Sequence, residues 1–288
     1  NTVAPVWDGN ETWLVLGGAG LFAAFPLAYS VVLSALYLPL IFMLLGLVFR
    51  GVAFEFRFKA RDHKRHIWDK AFIGGSVAAT FFQGVALGAF IEGIPVEGRA
   101  FSGGSLDWLA PFPLFSGLGL IAAYALLGCT WLIMKTEGRL QKQMHDMARP
   151  LALALLAVIG IVSLWTPLSQ ASIAERWFTL PNLFWFAPVP LLVLASFFYL
   201  LRSVANYDNS KPFVLTLALI FLGYSGLGIS LWPNIVPGSL TIWQAAAPPQ
   251  SQGFALVGAL LIIPIILVYT AWSYYVFRGK VTPDQGYH

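Results

Sequence analysis

Seven runs of roughly 20 apolar residues divide this chain, at about 29–49, 71–91, 114–134, 151–168, 183–201, 213–231 and 254–277. Coiled as a helix, a run of that length matches the ~30 Å hydrocarbon thickness of a bilayer. Inside a bilayer every backbone N–H and C=O must be bonded within the segment or across a closed barrel, and uninterrupted apolar runs suit the helix. The pattern therefore predicts an all-α polytopic membrane helix bundle with seven full transmembrane helices, read as a single transmembrane domain over 1–288. Composition agrees: 58% of the residues are hydrophobic and 10% charged, against about 25% charged in a soluble domain. A soluble globular enzyme, a disordered chain and a nucleic-acid binder are excluded, and the formal charge of +4 says little until it is placed.

Placement is informative. Arg50, Arg57, Lys59, Arg61, Lys64, Arg65 and Lys70 lie between the first two runs. Lys135, Arg139, Lys142 and Arg149, then Arg202 and Lys211, then Arg278 and Lys280 follow at alternate connections. Fifteen of the 17 basic residues thus fall on one side, leaving Arg99 and Arg176 on the other. By the positive-inside rule the basic side, with the C-terminus, is expected to be cytoplasmic.

A further apolar stretch, TWLVLGGAGLFAAFPL at 12–27, is short and Gly-rich. It reads either as a re-entrant half-helix or as a tightly packed additional span, and only the second puts Asp8 at the inner face. Trp108, Trp165, Trp177, Trp185, Trp232, Trp243 and Trp272 sit near run ends and suggest interfacial aromatic belts.

Few residues offer chemistry. The histidines, His63, His66, His145 and His288, all lie in basic loops or at the terminus, so facing haem-ligating pairs inside the spans are not available. Met43 and Met134 read as core residues, His63 and His66 as part of a solvated loop, and Cys129 as a small buried hydrophobe. No phosphate-binding loop or Ser-His-Asp arrangement is visible. Ionisable groups in or near the membrane are the default candidates, because burying them there is expensive. Asp8 and Glu11, in Trp7-Asp8-Gly9-Asn10-Glu11-Thr12-Trp13, have capping-box spacing, and alternatively offer a carboxylate in a proton path screened by Trp7 and Trp13. Glu92 reads as a solvated boundary residue, and Gln83 as a bond to a neighbouring helix. Between Arg50 and Lys59, charges alternate with aromatics, either as a basic patch on anionic lipid or as an anion clamp by Arg50 and Arg57. Asp69 can cap the start of the next helix. On these residues alone the chain reads as a polytopic inner-membrane subunit without its own redox site, with a transporter or channel subunit and a purely structural membrane partner as alternatives. The scarcity of charge inside the spans counts against the transporter.

Asn1 to Trp13 resembles the APxWDGNxxW signature of subunit II of the cytochrome bd quinol oxidases. The segment from Arg50 to Lys59 is similar to that subunit's FRxxxFEFR stretch, followed by Trp68-Asp69. SLTIWQAA at 239–246 and PIILVYTAWSYYVFRGKV at 264–281 are also similar. The resemblance covers essentially the whole chain. It implies a subunit of a quinol:oxygen oxidoreductase in the bacterial cytoplasmic membrane, paired with a haem-bearing subunit I in a heterodimer or, with a small accessory subunit, a slightly larger complex surrounded by lipid. This chain would bind no cofactor. The partner would carry b-type haems, a d-type or further b-type haem, and the quinol site. The complex would reduce dioxygen to water with cytoplasmic protons, building proton-motive force. By the same resemblance Asp8 matches the carboxylate of the proton route and Trp13 the tryptophan bordering an oxygen channel. Trp7, Asn10, Arg50, Glu55, Arg57 and Asp69 match positions of subunit contact or structural support. Members of the family begin with a further helix bearing a DGFDxG-type motif, so the sequence is expected to be a fragment. Gln244, where many relatives carry Asp, is similar to the cyanide-insensitive branch.

Overall fold

The computed structural model describes residues 2–281, except for the side chains of Asp8 and Glu11. In chain order the helices are α1 (Ala4–Ala24), α2 (Pro26–Lys59), α3 (Arg65–Glu92), α4 (Pro111–Lys135), α5 (Gly138–Ser169), the short α6 (Ala171–Phe178) and α7 (Asn182–Phe186), α8 (Pro188–Ala205), α9 (Lys211–Leu231), the single turn α10 (Ile242–Ala245) and α11 (Pro249–Val276). The described residues also include a 3-10 turn at Asp62–Lys64 and two small antiparallel hairpins, β1 (Val96–Glu97) with β2 (Ala100–Phe101) and β3 (Asn234–Val236) with β4 (Leu240–Thr241). Seven of the helical stretches are long and apolar enough to cross a membrane, α7 and α8 counting as one. Several begin with proline in the first two positions, as Pro26, Pro111, Pro188, Pro212 and Pro249 do. At that position the missing N–H leaves no helical bond unmade.

Packing is closest around α3. Gly75 and Ala79 meet Gly46 of α2: a Cβ on Gly46 would come within 2.7 Å of the Ala79 nitrogen. Gly84 and Gly88 meet α4, where added Cβ atoms would lie 2.7 Å from Gly117 Cα and 2.6 Å from Pro113 Cα. Gly75 and Gly84 are nine residues apart, which at about 100° per residue places them on opposite faces of α3. Small residues are what let membrane helices approach so closely, since lipid offers no hydrophobic push. Gln83 of α3 stands near Tyr124 of α4 across the same contact.

Two apolar clusters lie diagonally. One joins Ala28, Val31, Ala35 and Leu36 of α2 to Val85, Ala86 and Ala89 of α3 and to Ile94, Trp108, Val236, Leu240 and Ala245 of the connections away from the basic loops. Trp108 is 8% exposed and belongs to this cluster, so it is not part of an interfacial belt. The other cluster, nearer the basic loops, takes Leu126 and Ile133 from α4, Ala148, Ala152 and Leu155 from α5, Leu200 and Val204 from α8 and Leu219 from α9. Cys129 is buried there, its thiol donating to the Met144 carbonyl at 3.0 Å.

The end away from the basic loops is closed by main-chain ties. Ser239 Oγ donates to the Ile94 carbonyl, and Gln170 Nε2 to that of Glu92 at 2.7 Å. The Ala24 carbonyl accepts from Ala247 N at 2.9 Å and Gln252 Nε2 at 2.7 Å. Gln244 sits in a capping box with Thr241 at the start of α10.

These ties settle the path of the Gly-rich stretch. Ala24 is bound to the start of α11 at this closed end, while Trp7 packs on Phe54 near the basic end of α2, ring centroids 4.9 Å apart. Residues 12–24 of the stretch therefore belong to the continuous 21-residue helix α1, which runs antiparallel to α2 and α11, while Pro26 and Leu27 open α2. The ~31 Å rise of α1 carries it from one end of the bundle to the other, and the re-entrant alternative is overturned. Asp8 lies in its second turn, because α1 starts at Ala4 with Pro5 in its first turn and Val3 as N-cap. The capping box expected of Asp8 and Glu11 is thus corrected at the level of the backbone, and their side chains lie outside the described residues. Asp69 does not cap α3 either, since that helix starts at Arg65 after Lys64.

Candidate functional site at the basic end

The first sequence motif and the Arg50–Lys59 segment meet where α1 begins and α2 ends. Trp7 lies over Gly51, where an added Cβ would stand 3.6 Å from the indole ring. Phe54 continues the aromatic stack to Phe58 and Phe72, at 5.8 and 6.4 Å. Helical periodicity explains the stack: Phe54 and Phe58 are four residues apart and share one face of α2. Arg50 is half-buried one turn before Phe54, at the level of Gly75. Arg57 Nε donates to Asp69 Oδ1 at 2.5 Å, joining the end of α2 to the start of α3. Of the two anion-clamp arginines, Arg57 therefore holds a carboxylate of its own chain. Glu55, two residues earlier on α2, is exposed. His63 sits in the α2–α3 connection and His66 in the first turn of α3, its Nδ1 3.0 Å from the His63 carbonyl oxygen. His288 is outside the described residues.

Trp13 is half-buried on α1, six residues beyond Trp7 and so about 9 Å further along the axis. Of Asp8, the backbone position alone is fixed, in the same end of α1 as Trp7 and Asn10. Asn10 does not join the α2 stack. It turns to α11, where its Nδ2 lies 2.9 Å and its Oδ1 3.2 Å from the Tyr274 hydroxyl. Pro5, Val6, Gly9 and Asn10 of α1 and Tyr269, Thr270, Ser273 and Tyr274 of α11 line a cleft of about 40 Å³. The two most distinctive motifs, 264 residues apart at Asn10 and Tyr274, therefore face each other. No spacing rule links positions so distant, so the sequence alone assigns Tyr274 no role.

A second tie fixes the end of α11. Lys135 is buried, and its Nζ donates to the Phe277 carbonyl at 2.5 Å and that of Gly279 at 3.4 Å. Its own carbonyl accepts from Val281 N at 2.9 Å. The lysine satisfies carbonyls at a helix C-terminus, where a cation also complements the helix dipole.

Comparison with known proteins agrees with these motifs. The family profile described as "Cytochrome bd terminal oxidase subunit II" matches residues 1–277. Cytochrome bd-I ubiquinol oxidase subunit 2 of Escherichia coli K12 is 30% identical, over 99% of this chain and 84% of that protein. Cytochrome bd ubiquinol oxidase subunit 2 of Bacillus subtilis is 28% identical, over 99% of this chain and 85% of its own length. In fold, the chain superposes on bd oxidase from Geobacillus thermodenitrificans with a TM-score of 0.74 at 12% identity, covering 96% of this chain and 85% of that one. The match across all but the last residues, on a bundle of membrane-crossing helices, places this chain in the cytochrome bd terminal oxidase subunit II family.

Proposed function

We propose that this chain, with a haem-bearing subunit I, forms a bacterial quinol oxidase that reduces dioxygen to water using protons drawn from the cytoplasm. The observation that carries the reading is the family match over residues 1–277, which includes the WDGN motif now placed at the basic end of α1. By the positive-inside rule the basic end, with the chain's C-terminal side, faces the cytoplasm. Asp8 then stands on the proton-uptake side, and we assign it to the proton path. Trp13, deeper along α1, is assigned to the border of an oxygen channel.

The partner supplies the b-type haems and the d-type or further b-type haem that transfer electrons and bind oxygen. The described histidines of this chain, His63, His66 and His145, lie toward the basic end rather than facing one another within the apolar runs, an arrangement that leaves haem ligation to the partner. What this chain's own residues do is narrower. They set the Asp8 position at the basic end of α1, line that end with the Trp7–Phe54–Phe58 aromatic cluster, and brace α2 on α3 through Arg57 and Asp69.

The test is Asp8→Asn in the assembled complex, reading quinol-dependent oxygen uptake against haem content. Slower uptake with haem retained is expected. Unchanged uptake removes Asp8 from the proton path. Trp13→Ala should shift the apparent oxygen affinity while leaving quinol affinity unchanged.

A further inference from the structure

The net charge of this chain is concentrated in one place. Residues 50–70 form the end of α2, the start of α3 and the turn between them, and they hold seven basic and three acidic residues. That excess equals the formal charge of +4 for all 288 residues, so the rest of the chain sums to zero. Ion pairs within this tip leave much of the charge unanswered. Arg57 bonds Asp69, and Arg65 Nη1 lies 3.0 Å from Asp62 Oδ1. The side chains of Lys59, Arg61, Lys64 and Lys70 are exposed and make no ion pair or hydrogen bond among the described residues. Elsewhere on the basic side, Lys135 is held by the α11 carbonyls, Lys211 by Asp208 at 3.2 Å and Lys280 by Glu137 at 3.7 Å. Large apolar side chains stand between the free cations of the tip. Phe56 is 54% exposed, Phe58 50% and Ile67 52%, and Phe56 meets Trp68 of the other arm with ring centroids 5.2 Å apart.

The place of the tip decides what can cover such a surface. Lys70 immediately precedes the apolar run at 71–91, and α2 continues past its own run from Arg50 to Lys59, a rise of ~15 Å. The headgroup layer is about 5–7 Å thick on each side of the hydrocarbon. Even the turn at Arg61–Lys64 therefore lies within about one Debye length of that layer. A small soluble anion is gripped by a few convergent donors. Here the cations are spread along both arms and alternate with aromatic and aliphatic groups, a pattern that fits an anionic amphiphile.

We propose that the α2–α3 tip is a docking surface for glycerophospholipids with a net negative headgroup, in the leaflet on the basic side of the membrane. Lys59, Arg61, Lys64 and Lys70 donate charge-assisted hydrogen bonds to phosphate oxygens. Phe56, Phe58 and Ile67 lie among the headgroups, where aromatic and aliphatic side chains anchor interfacial segments. The Arg57–Asp69 bond ties the arm that carries Lys59 to the arm that carries Lys70. This subunit thereby gathers anionic lipid at the end of the bundle where α1 begins and α2 ends.

The experiment uses the full-length chain assembled with its haem-bearing partner, purified in a neutral detergent and stripped of lipid. Phosphatidylglycerol and, separately, phosphatidylcholine are titrated in mixed micelles, and bound lipid is counted by native mass spectrometry. The wild-type complex should prefer phosphatidylglycerol, and the preference should fade in high salt. Lys59→Gln, Arg61→Gln, Lys64→Gln and Lys70→Gln combined should cut phosphatidylglycerol affinity at least about tenfold, since each cation near a lipid surface contributes roughly fivefold. Haem content and elution volume should stay unchanged, because the four side chains are exposed and unbonded. Phe58→Ser, which keeps the charge, should weaken both lipids alike. Arg139→Gln, Lys142→Gln and Arg149→Gln combined remove three exposed cations of α5 from the same side and should leave phosphatidylglycerol affinity within about twofold. Equal affinity in the wild type and the fourfold variant overturns the proposal. An equal loss in the α5 variant also overturns it, making the attraction a property of total charge. Competition by millimolar inorganic phosphate overturns it in favour of a small-anion site. Loss of the haem-bearing partner from the fourfold variant, with phosphatidylglycerol affinity intact, overturns it in favour of a contact between subunits.

Discussion

α3 and α11 are both 28 residues long, yet they are held in opposite ways. α3 has eight buried residues, most of them glycine or alanine, and is gripped on two faces by α2 and α4. α11 has none buried, and large side chains such as Phe254, Leu261, Ile265 and Val268 point outward. It is fixed by polar ties at its two ends, through Gln252 to Ala24, Tyr274 to Asn10 and Lys135 to Phe277. In water the more apolar helix would be the buried one. In a membrane the surroundings are as apolar as the interior, so close approach of small residues and specific hydrogen bonds mark what is inside.

That contrast can be broken most severely at α3. Gly84→Leu or Gly88→Leu drives a side chain into the α4 backbone, and overpacking of this kind costs about 3 kcal/mol or more. Little folded subunit should be recovered, as judged by yield and size-exclusion profile. Gly258→Leu, in open space on α11, should leave both unchanged. A smaller loss is expected for Lys135→Met, which strands carbonyls at the end of α11. A loss of about 1–3 kcal/mol, read as lowered Tm and faster proteolysis near residue 277, would confirm that α11 depends on its ties.

His145 gives a pH-dependent version of the same comparison. It lies in the polar extension of α5 ahead of the apolar run at 151–168, is 5% exposed, packs on Tyr207 at 4.8 Å, and its Nδ1 lacks a partner among the described residues. Burial pushes its imidazole below the ordinary value of 6.5, a push opposed by a main-chain bond to Val204 and by Asp146 and Asp208. The unfolded chain therefore takes up the proton first as pH falls. Stability at the α5–α8 contact is full above about pH 6.5 and declines as pH drops through the folded value. Thermal melts from pH 8 to 5 should show the decline, and His145→Leu should flatten it. The smallest effect belongs to Arg57→Gln. Both side chains of its pair with Asp69 are 46% exposed, so less than about 1 kcal/mol is expected, and less still in high salt.

The seven membrane crossings and the basic side could be read from the chain because run length and lysine and arginine placement answer directly to bilayer thickness and charge. The partners of each helix could not. Gly46, Gly75, Gly84 and Gly88 look alike in sequence to Gly17, Gly18 and Gly20 of α1, where an added Cβ meets nothing within 4 Å. The capping spacing at Asp8 and Glu11 misled because Pro5 starts α1 earlier, and Asp69 because α3 begins a turn sooner. The motifs at both ends of the chain were visible, but their meeting at Asn10 and Tyr274 depends on the antiparallel course of α1 and α11, which no local pattern encodes.

The tie between Asn10 and Tyr274 also sets a timetable for biogenesis. At about 5–20 residues per second, the ribosome needs roughly 13–53 seconds to make the 264 residues that separate them. Until then α1 sits in the bilayer with a carboxamide that has not met its mate.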